Sequence, residues 1–197
     1  LPVINTIHDL MLSGDRFHRI EAVLSGSLNF IFSELEKGAP FSEVVAQAKE
    51  KGYTEPDPRD DLSGMDVARK VVILGREAEQ SLEVEDVVVS SLVPENARQG
   101  VSVEKFMELL KAEDASYAQL LQQAREKGEK LRFMATLEDG KAEIGLRSIP
   151  ASHPFYSLEG SDNMILLTTD RYYDRPMIIR GPGAGAEVTA AGVFADV

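Results

Sequence analysis

Two runs of alternating apolar residues flank Asp139-Gly140, and they constrain the fold more than any other feature of the 197-residue chain. Residues 131–137 precede the pair and residues 141–149 follow it. Asp-Gly between two such runs favours a two-residue hairpin turn, because both residues tolerate a positive φ. The sequence therefore predicts an antiparallel pair of strands in the second half of the chain.

Around this hairpin, helical patterns come mostly first and strands mostly later. Apolar spacing predicts a helix that ends at Gly14 and a strand over residues 17–24 that buries the face with Ile20 and Ala22. Further helices are expected at 25–37, 41–51 (capped by Ser42), 63–78, 103–111, 114–127 and from about 188, and further strands at 164–169 and 176–180. This order predicts an α+β fold, with a mixed, largely antiparallel sheet and helices packed on one face.

Composition excludes several classes of function. The formal net charge of −12 argues against binding to nucleic acid or to anionic membranes, and the chain contains no cysteine for disulfide or thiolate chemistry. His8, His18 and His153 lie far apart in the sequence, so we expect no metal site built on histidine. We also expect no membrane span, since no run of 18 apolar residues occurs. The lack of cysteine fits a cytoplasmic protein.

The stretch from Gly52 to Lys70 has the chemistry of a binding site. Between Glu55 and Lys70 it carries five carboxylates, two arginines and one lysine, and two prolines exclude a continuous helix through it. Prolines lower the entropy cost of holding a loop in one shape, which favours a binding site. Ser63 is expected to cap the following helix, with Asp66 at capping-box spacing.

Asp66 and Lys70 are four residues apart on that helix, so their side chains share one face. An acidic loop over this face would form a pocket with both signs of charge, which suits a zwitterionic amino acid. A lysine there can also exchange a proton with a substrate hydroxyl. Two simpler interpretations stay open: a solvated helix pair worth about 0.2–0.5 kcal/mol, and an ordinary acidic surface loop.

The tail, residues 181–197, is rich in glycine and alanine before it turns helical. Glycines before a helix N-terminus let backbone N–H groups approach an anion such as a phosphate. The segment does not follow a full strand–turn–helix unit with a ribose-binding acid about 20 residues on. A flexible hinge is therefore an equal alternative.

Three segments together resemble the homoserine dehydrogenase family. GYTEPDPRDDLSGMDVARK at 52–70 resembles its signature with hardly a departure, and LSGSLNFIF at 24–32 is similar to its Ser-Gly-Thr/Ser-x-Asn-Tyr element. Residues 183–193 resemble its closing segment. The likeness covers almost the whole chain, is closest to the dehydrogenase part of bifunctional aspartokinase–homoserine dehydrogenases, and implies a fold like the C-terminal domain of glyceraldehyde-3-phosphate-dehydrogenase-type enzymes.

The resemblance implies an oxidoreductase that interconverts L-aspartate 4-semialdehyde and L-homoserine with NADP or NAD, on the route to threonine, methionine and isoleucine. Lys70 matches the catalytic lysine that gives a proton to the carbonyl oxygen. The implied substrate-binding residues are Glu55, Asp61, Asp66, Gly26, Ser27, Tyr53 and Thr54. The implied cofactor-binding residues are Gly52, Gly183, Ala184 and Gly185. Hydride attack builds an alkoxide, which a nearby cation or acid must neutralise.

The resemblance also divides the chain. Residues 1–180 would form the substrate-binding, catalytic and dimerisation domain, and residues 181–197 would return to a nucleotide-binding domain expected before Leu1. A second functional lysine and the sodium-site residues would also lie there, so the chain alone should bind NADP poorly and turn over little. We expect a homodimer through the sheet, with an exposed strand such as Met164 to Leu167 at the interface.

Two other functions stay open on the sequence. An inactive or regulatory amino-acid-binding domain would keep Glu55 and Asp66 but would not need Lys70. A dimerisation module would need none of the three, and its acidic loop would be an exposed surface loop that binds no ligand. Cofactor preference and threonine inhibition depend on residues expected upstream.

Overall fold

A mixed six-stranded sheet organises the chain, whose computed structural model describes residues 1–195. The strands are β1 (Phe17–Val23), β2 (Val88–Val89), β3 (Lys130–Glu138), β4 (Lys141–Ile149), β5 (Asp162–Thr169) and β6 (Met177–Pro182). Their order is β2-β4-β3-β1-β5-β6, and every pair is antiparallel except β2 with β4. The predicted hairpin is confirmed, since Glu138 pairs with Lys141 around Asp139 and Gly140, both at positive φ.

Helices cover one face of this sheet. Within the same residues they are α1 (Val3–Leu12), α2 (Gly26–Leu35), α3 (Phe41–Glu50), α4 (Arg59–Leu62), α5 (Met65–Glu77), α6 (Val103–Leu110), α7 (Asp114–Glu126) and α8 (Ala186–Ala195). The main core lies between α1–α7 and the sheet, whereas α8 buries none of its described side chains. The α+β class with helices on one face is therefore confirmed. Over residues 1–195, no helix combines the length and apolar character needed to cross a membrane.

The opposite face of the sheet carries a smaller buried cluster beneath a 3-10 turn at residues 154–157. Arg132 is fully buried there and donates hydrogen bonds to the carbonyls of Phe155 at 3.1 Å and Leu158 at 2.8 Å. Its guanidinium also contacts Glu36 at 2.5 Å. These contacts fix the segment that leads into β5, and the start of β5 lines the candidate site described below.

Several local predictions are wrong. Ser42 does not cap α3 but lies inside it, where its hydroxyl donates to Asp114 at 2.7 Å. Ser63 is not the N-cap of α5, because it ends the short helix α4 and Gly64 takes the cap position, but its hydroxyl still accepts from the Met65 N–H at 3.2 Å. The tail helix begins at Ala186, two residues before the predicted start.

The predicted exposed strand at Met164 to Leu167 is also wrong. All four side chains are buried, because β5 lies between β1 and β6 in the interior of the sheet. The outer strands are β2 and β6. Strand β2 was not predicted, since a two-residue strand is too short to show an alternating pattern.

Gly64 fixes where α5 starts relative to the sheet. Its φ is +76°, a conformation that L side chains rarely adopt. A Cβ at this position would lie 2.9 Å from the Phe133 ring and 3.1 Å from Val89. The helix can therefore approach β3 this closely only with glycine at its N-cap.

We expect Gly64→Ala to lower the free energy of unfolding by about 2–4 kcal/mol, which adds overpacking to the cost of a left-handed backbone. Gly140→Ala is the matched control, because Gly140 has a φ of +72° with open space around it. That variant should lose only the backbone part, about 1–2 kcal/mol. Equal losses in urea denaturation would show that the contact with Phe133 contributes nothing.

Candidate active site

A cavity of about 380 Å³ gathers most of the residues that the sequence singled out. Its walls come from the end of β1, the start of α2, the loop before α4, α4 itself, the first turns of α5 and the start of β5. The segment after β6, residues 183–185, completes the wall and is called the glycine loop here. The lining residues are Leu24, Ser25, Gly26, Ser27, Gly52, Tyr53, Asp61, Asp66, Lys70, Ser161, Asn163, Pro182, Gly183, Ala184 and Gly185. Ten of the twelve predicted site residues are among them.

Lys70 reaches this cavity from the second turn of α5. Its Nζ lies 2.7 Å from Oδ2 of Asp66 and donates a hydrogen bond to the Leu24 carbonyl at 3.1 Å. The Lys70 side chain is 43% exposed, so the ammonium stands at the cavity wall in contact with solvent. An ammonium has three N–H donors, so these two contacts leave one for a ligand.

Asp61 joins the acidic loop to the start of α2. Its Oδ1 accepts a hydrogen bond from the Ser27 hydroxyl at 2.6 Å, and its Oδ2 accepts one from the Glu55 backbone N–H at 2.9 Å. Ser25 caps α2 by accepting from the Leu28 N–H at 3.2 Å. A carboxylate has further lone pairs, so Asp61 can hold this geometry and still accept from a ligand ammonium.

Two of the predicted residues lie elsewhere. The Glu55 side chain lines an adjoining cleft of about 460 Å³, which shares Asp61 and Asp66 with the first cavity. Thr54 lines neither space, and its hydroxyl donates to the Glu55 carbonyl at 3.0 Å. Asp61 and Asp66 therefore line both spaces, whereas Glu55 lines only the second.

The acidic loop is held by Arg59. Its guanidinium contacts the Asp57 carboxylate at 2.6 Å and donates to the Val101 carbonyl at 3.0 Å. Hydrogen bonds from Arg59 lower the pKa of Asp57, and the same pairing raises the pKa of Arg59. Both groups thus stay charged near neutral pH, which keeps the loop fixed against residues 97–101.

Sequence reasoning missed Asn163, Ser161 and the backbone of Leu24 as parts of the cavity wall. Asn163 is 9% exposed and stands at the start of β5, far along the chain from the acidic loop. The strand order places it there, because β5 pairs with β1 just before Leu24. No local motif predicts such a placement. The only signal in the sequence is the polar run of residues 161–163 directly before an apolar strand.

The family model for homoserine dehydrogenase matches residues 2–197. The chain belongs to this family. Among curated relatives, bifunctional aspartokinase/homoserine dehydrogenase 1 of Zea mays is 50% identical over 199 residues, which cover all of this chain and 22% of that protein. Homoserine dehydrogenase of Schizosaccharomyces pombe is 44% identical over 205 residues, which cover all of this chain and 54% of that protein.

Solved structures match in fold. A Candida auris protein of unknown function superposes with a TM-score of 0.94 at 42% identity, over all of this chain and 56% of that one. A mutant hyperthermophilic archaeal homoserine dehydrogenase, solved in complex with NADPH, gives a TM-score of 0.72 at 25% identity, over 99% of this chain and 50% of that one. The homoserine dehydrogenase family is thus confirmed, and the chain spans between about a fifth and a little over half of these relatives.

Proposed function

We propose that this chain is the substrate-binding and catalytic lobe of an NAD(P)-dependent homoserine dehydrogenase, which interconverts L-aspartate 4-semialdehyde and L-homoserine in threonine, methionine and isoleucine synthesis. The observation that carries the proposal is the Lys70 ammonium, held by Asp66 and the Leu24 carbonyl at a cavity that the glycine loop also lines. Family membership supports the choice of reaction. The same lobe without its nucleotide-binding partner should turn over little, because most of the cofactor contacts would be missing.

The charges of the cavity suit a small zwitterion. Asp61 and Asp66 offer carboxylate oxygens to the substrate ammonium, and Glu55 adds a third carboxylate from the adjoining cleft. Ser27 and Gly26 line the same cavity at the start of α2, where the Ser27 hydroxyl donates to Asp61 at 2.6 Å. A cavity of about 380 Å³ is at the small end of the range for ligand sites, which fits a four-carbon amino acid.

Lys70 performs the proton transfer in this proposal. In the direction of reduction, its remaining N–H donates to the aldehyde oxygen, which gains negative charge as the carbon is reduced. The ammonium then gives that oxygen a proton, and the product is the alcohol of L-homoserine. In the reverse direction the neutral amine takes the hydroxyl proton. Asp66 and the Leu24 carbonyl hold the lysine in place for both steps.

The chain's own residues fit the reacting end of a nicotinamide cofactor. Gly183, Ala184 and Gly185 line the cavity and directly precede α8, so backbone N–H groups at a helix start face the same space as Lys70. Gly52 lines the same cavity. A bound nicotinamide supplies or accepts the hydride at the substrate carbon. The NADPH complex of the archaeal relative supports a nicotinamide cofactor, and we propose NADP, held mainly by a domain outside this chain.

We further propose a homodimer formed through the sheet, in the cytoplasm. The outer strand β6 and the loop before it expose large apolar side chains, with Ile178 at 49% and Tyr173 at 63%. The cysteine-free composition is compatible with a reducing compartment, although the maize relative is named as chloroplastic. Sedimentation velocity at micromolar concentration should show a dimer, and a purely monomeric boundary would contradict this part of the proposal.

The Lys70→Ala variant of the complete enzyme separates catalysis from binding. We expect kcat to fall by about 10²–10⁴-fold, because the proton donor and the cation beside the developing alkoxide are both lost. The affinity for L-homoserine should change little, since the carboxylates remain. The matched control is Lys105→Ala, an exposed lysine of α6 paired with Glu108, which should keep wild-type kinetics.

Two results would favour the rival functions. Turnover close to that of the wild type in Lys70→Ala would show that the site binds an amino acid without using this lysine. Absence of any L-homoserine binding at millimolar concentration in the wild-type enzyme would favour a dimerisation module, whose acidic loop has no ligand.

A further inference from the structure

Asn163 shares a hydrogen-bond acceptor with Lys70. The Nδ2 of Asn163 donates to the Leu24 carbonyl at 3.3 Å, and the Lys70 Nζ donates to the same oxygen at 3.1 Å. Asn163 is nearly buried at the first residues of β5, whereas the Lys70 side chain is substantially exposed. The carbonyl therefore has one rigid donor and one flexible donor.

The backbone of Gly183 lies close to the same Asn163 side-chain amide. A Cβ built on Gly183 would lie 2.0 Å from Nδ2 and 2.6 Å from Cγ of Asn163, far inside van der Waals contact. The backbone pairing of Asn163 with Gly181 brings the glycine loop to this position. The amide is thus enclosed between the Leu24 carbonyl on one side and the loop backbone on the other.

We infer that Asn163 is a positioning residue for Lys70, which acts by fixing the Leu24 carbonyl on which the ammonium rests. This inference deepens the proposed function and rests on it. A carbonyl oxygen has two lone pairs, so it can accept from both donors at once. The amide occupies one direction and leaves the other, toward the cavity, for the ammonium.

The geometry explains why a partly solvated lysine needs such a fixed partner. Asp66 is 59% exposed and holds Lys70 from the solvent side of the cavity, on the same helix. The Leu24 carbonyl is the contact that draws the ammonium inward, to the end of β1. If that carbonyl rotates, the ammonium follows Asp66 and solvent, and it leaves the place where the substrate oxygen would be protonated.

The contact with Gly183 links this arrangement to the glycine loop. A side chain at position 183 must displace either the loop or the amide, and displacement of the amide releases the Leu24 carbonyl. The loop proposed to face the nicotinamide and the lysine proposed to face the substrate therefore depend on one side chain. Asn163 itself need not touch either ligand.

The test compares four variants of the complete enzyme: Asn163→Ala, Asn163→Asp, Gly183→Ala and the double variant Asn163→Ala/Gly183→Ala. We expect kcat to fall by about 10–100-fold in the three single variants, as for a misplaced catalytic group. The KM for L-homoserine should stay within about threefold, because Asp61 and Asp66, the carboxylates proposed to bind the substrate ammonium, are unchanged. Asn96→Ala is a matched control at an exposed turn, and it should keep wild-type kinetics.

Two readouts distinguish positioning from a general structural role. The double variant should be no slower than Asn163→Ala alone, because a Cβ at position 183 has no amide left to displace. Asn163→Asp has nearly the shape of asparagine but, when ionised, cannot donate to the carbonyl. Its kcat relative to that of the wild type should therefore rise as the pH falls and the carboxyl group gains a proton that it can donate.

Three outcomes would overturn the inference: wild-type kcat in Asn163→Ala and Asn163→Asp, losses of Asn163→Ala and Gly183→Ala that multiply in the double variant, or a relative kcat of Asn163→Asp that does not change with pH. If the Asn163 variants lose their folded circular dichroism signal, Gly183→Ala decides alone, through its split between kcat and KM. Failure of the proposed function is recognised separately, since Lys70→Ala would then retain turnover whatever the Asn163 variants do.

Discussion

The hydrogen bond from the Lys70 ammonium to the Leu24 carbonyl is the contact on which the site depends. It joins a helix to the end of a strand, and each side of it is fixed by the fold. Leu24 follows β1, which lies inside the sheet between β3 and β5 and cannot shift alone. On the other side, Gly64 lets α5 start close against β3, which brings its first two turns to the same place. Tertiary packing thus determines the position of the ammonium group of a flexible lysine side chain.

The acidic loop is a second rigid body around that contact. Arg59 holds it against residues 97–101, and Asp61 ties it to the start of α2 through Ser27. These bonds consume donors and acceptors within the protein and leave the inner faces of Asp61 and Asp66 toward the cavity. An exposed ion pair such as Lys70–Asp66 adds little stability by itself. Its value lies in orientation, because it sets an ammonium between two acceptors with one donor left over.

Parts of this arrangement could be read from the sequence because they are local. The turn at Asp139-Gly140 follows from the φ that those residues tolerate, and the shared face of Asp66 and Lys70 follows from helical spacing. The resemblance at 52–70 also predicted residues that the structure brings to one cavity, among them Asp61, Asp66 and Lys70. Ser63 failed as a cap because a single extra helical turn, α4, shifts the boundary by one residue, and spacing rules do not resolve such a shift.

The remainder could not be predicted because it depends on strand order. Met164 to Leu167 are buried only because β6 pairs outside β5, and Asn163 reaches Leu24 only because β5 pairs with β1. Neither strand pairing can be predicted from the local amino-acid composition. The backbone carbonyl of Leu24 has no sequence signature at all, since every residue carries one. Glu55 was expected in the cavity but lies in the adjoining cleft, a distinction set by the path of the loop between Pro56 and Asp61.

The most direct test of this account is a structure of the chain, or of the complete enzyme, with L-homoserine bound. The ligand hydroxyl oxygen should lie within about 3.2 Å of the Lys70 Nζ, with the ligand ammonium directed to Asp61 and Asp66. The Leu24 carbonyl should keep its contact with Lys70. L-homoserine bound outside this cavity, or a Lys70 side chain turned away from it into solvent, would contradict the account.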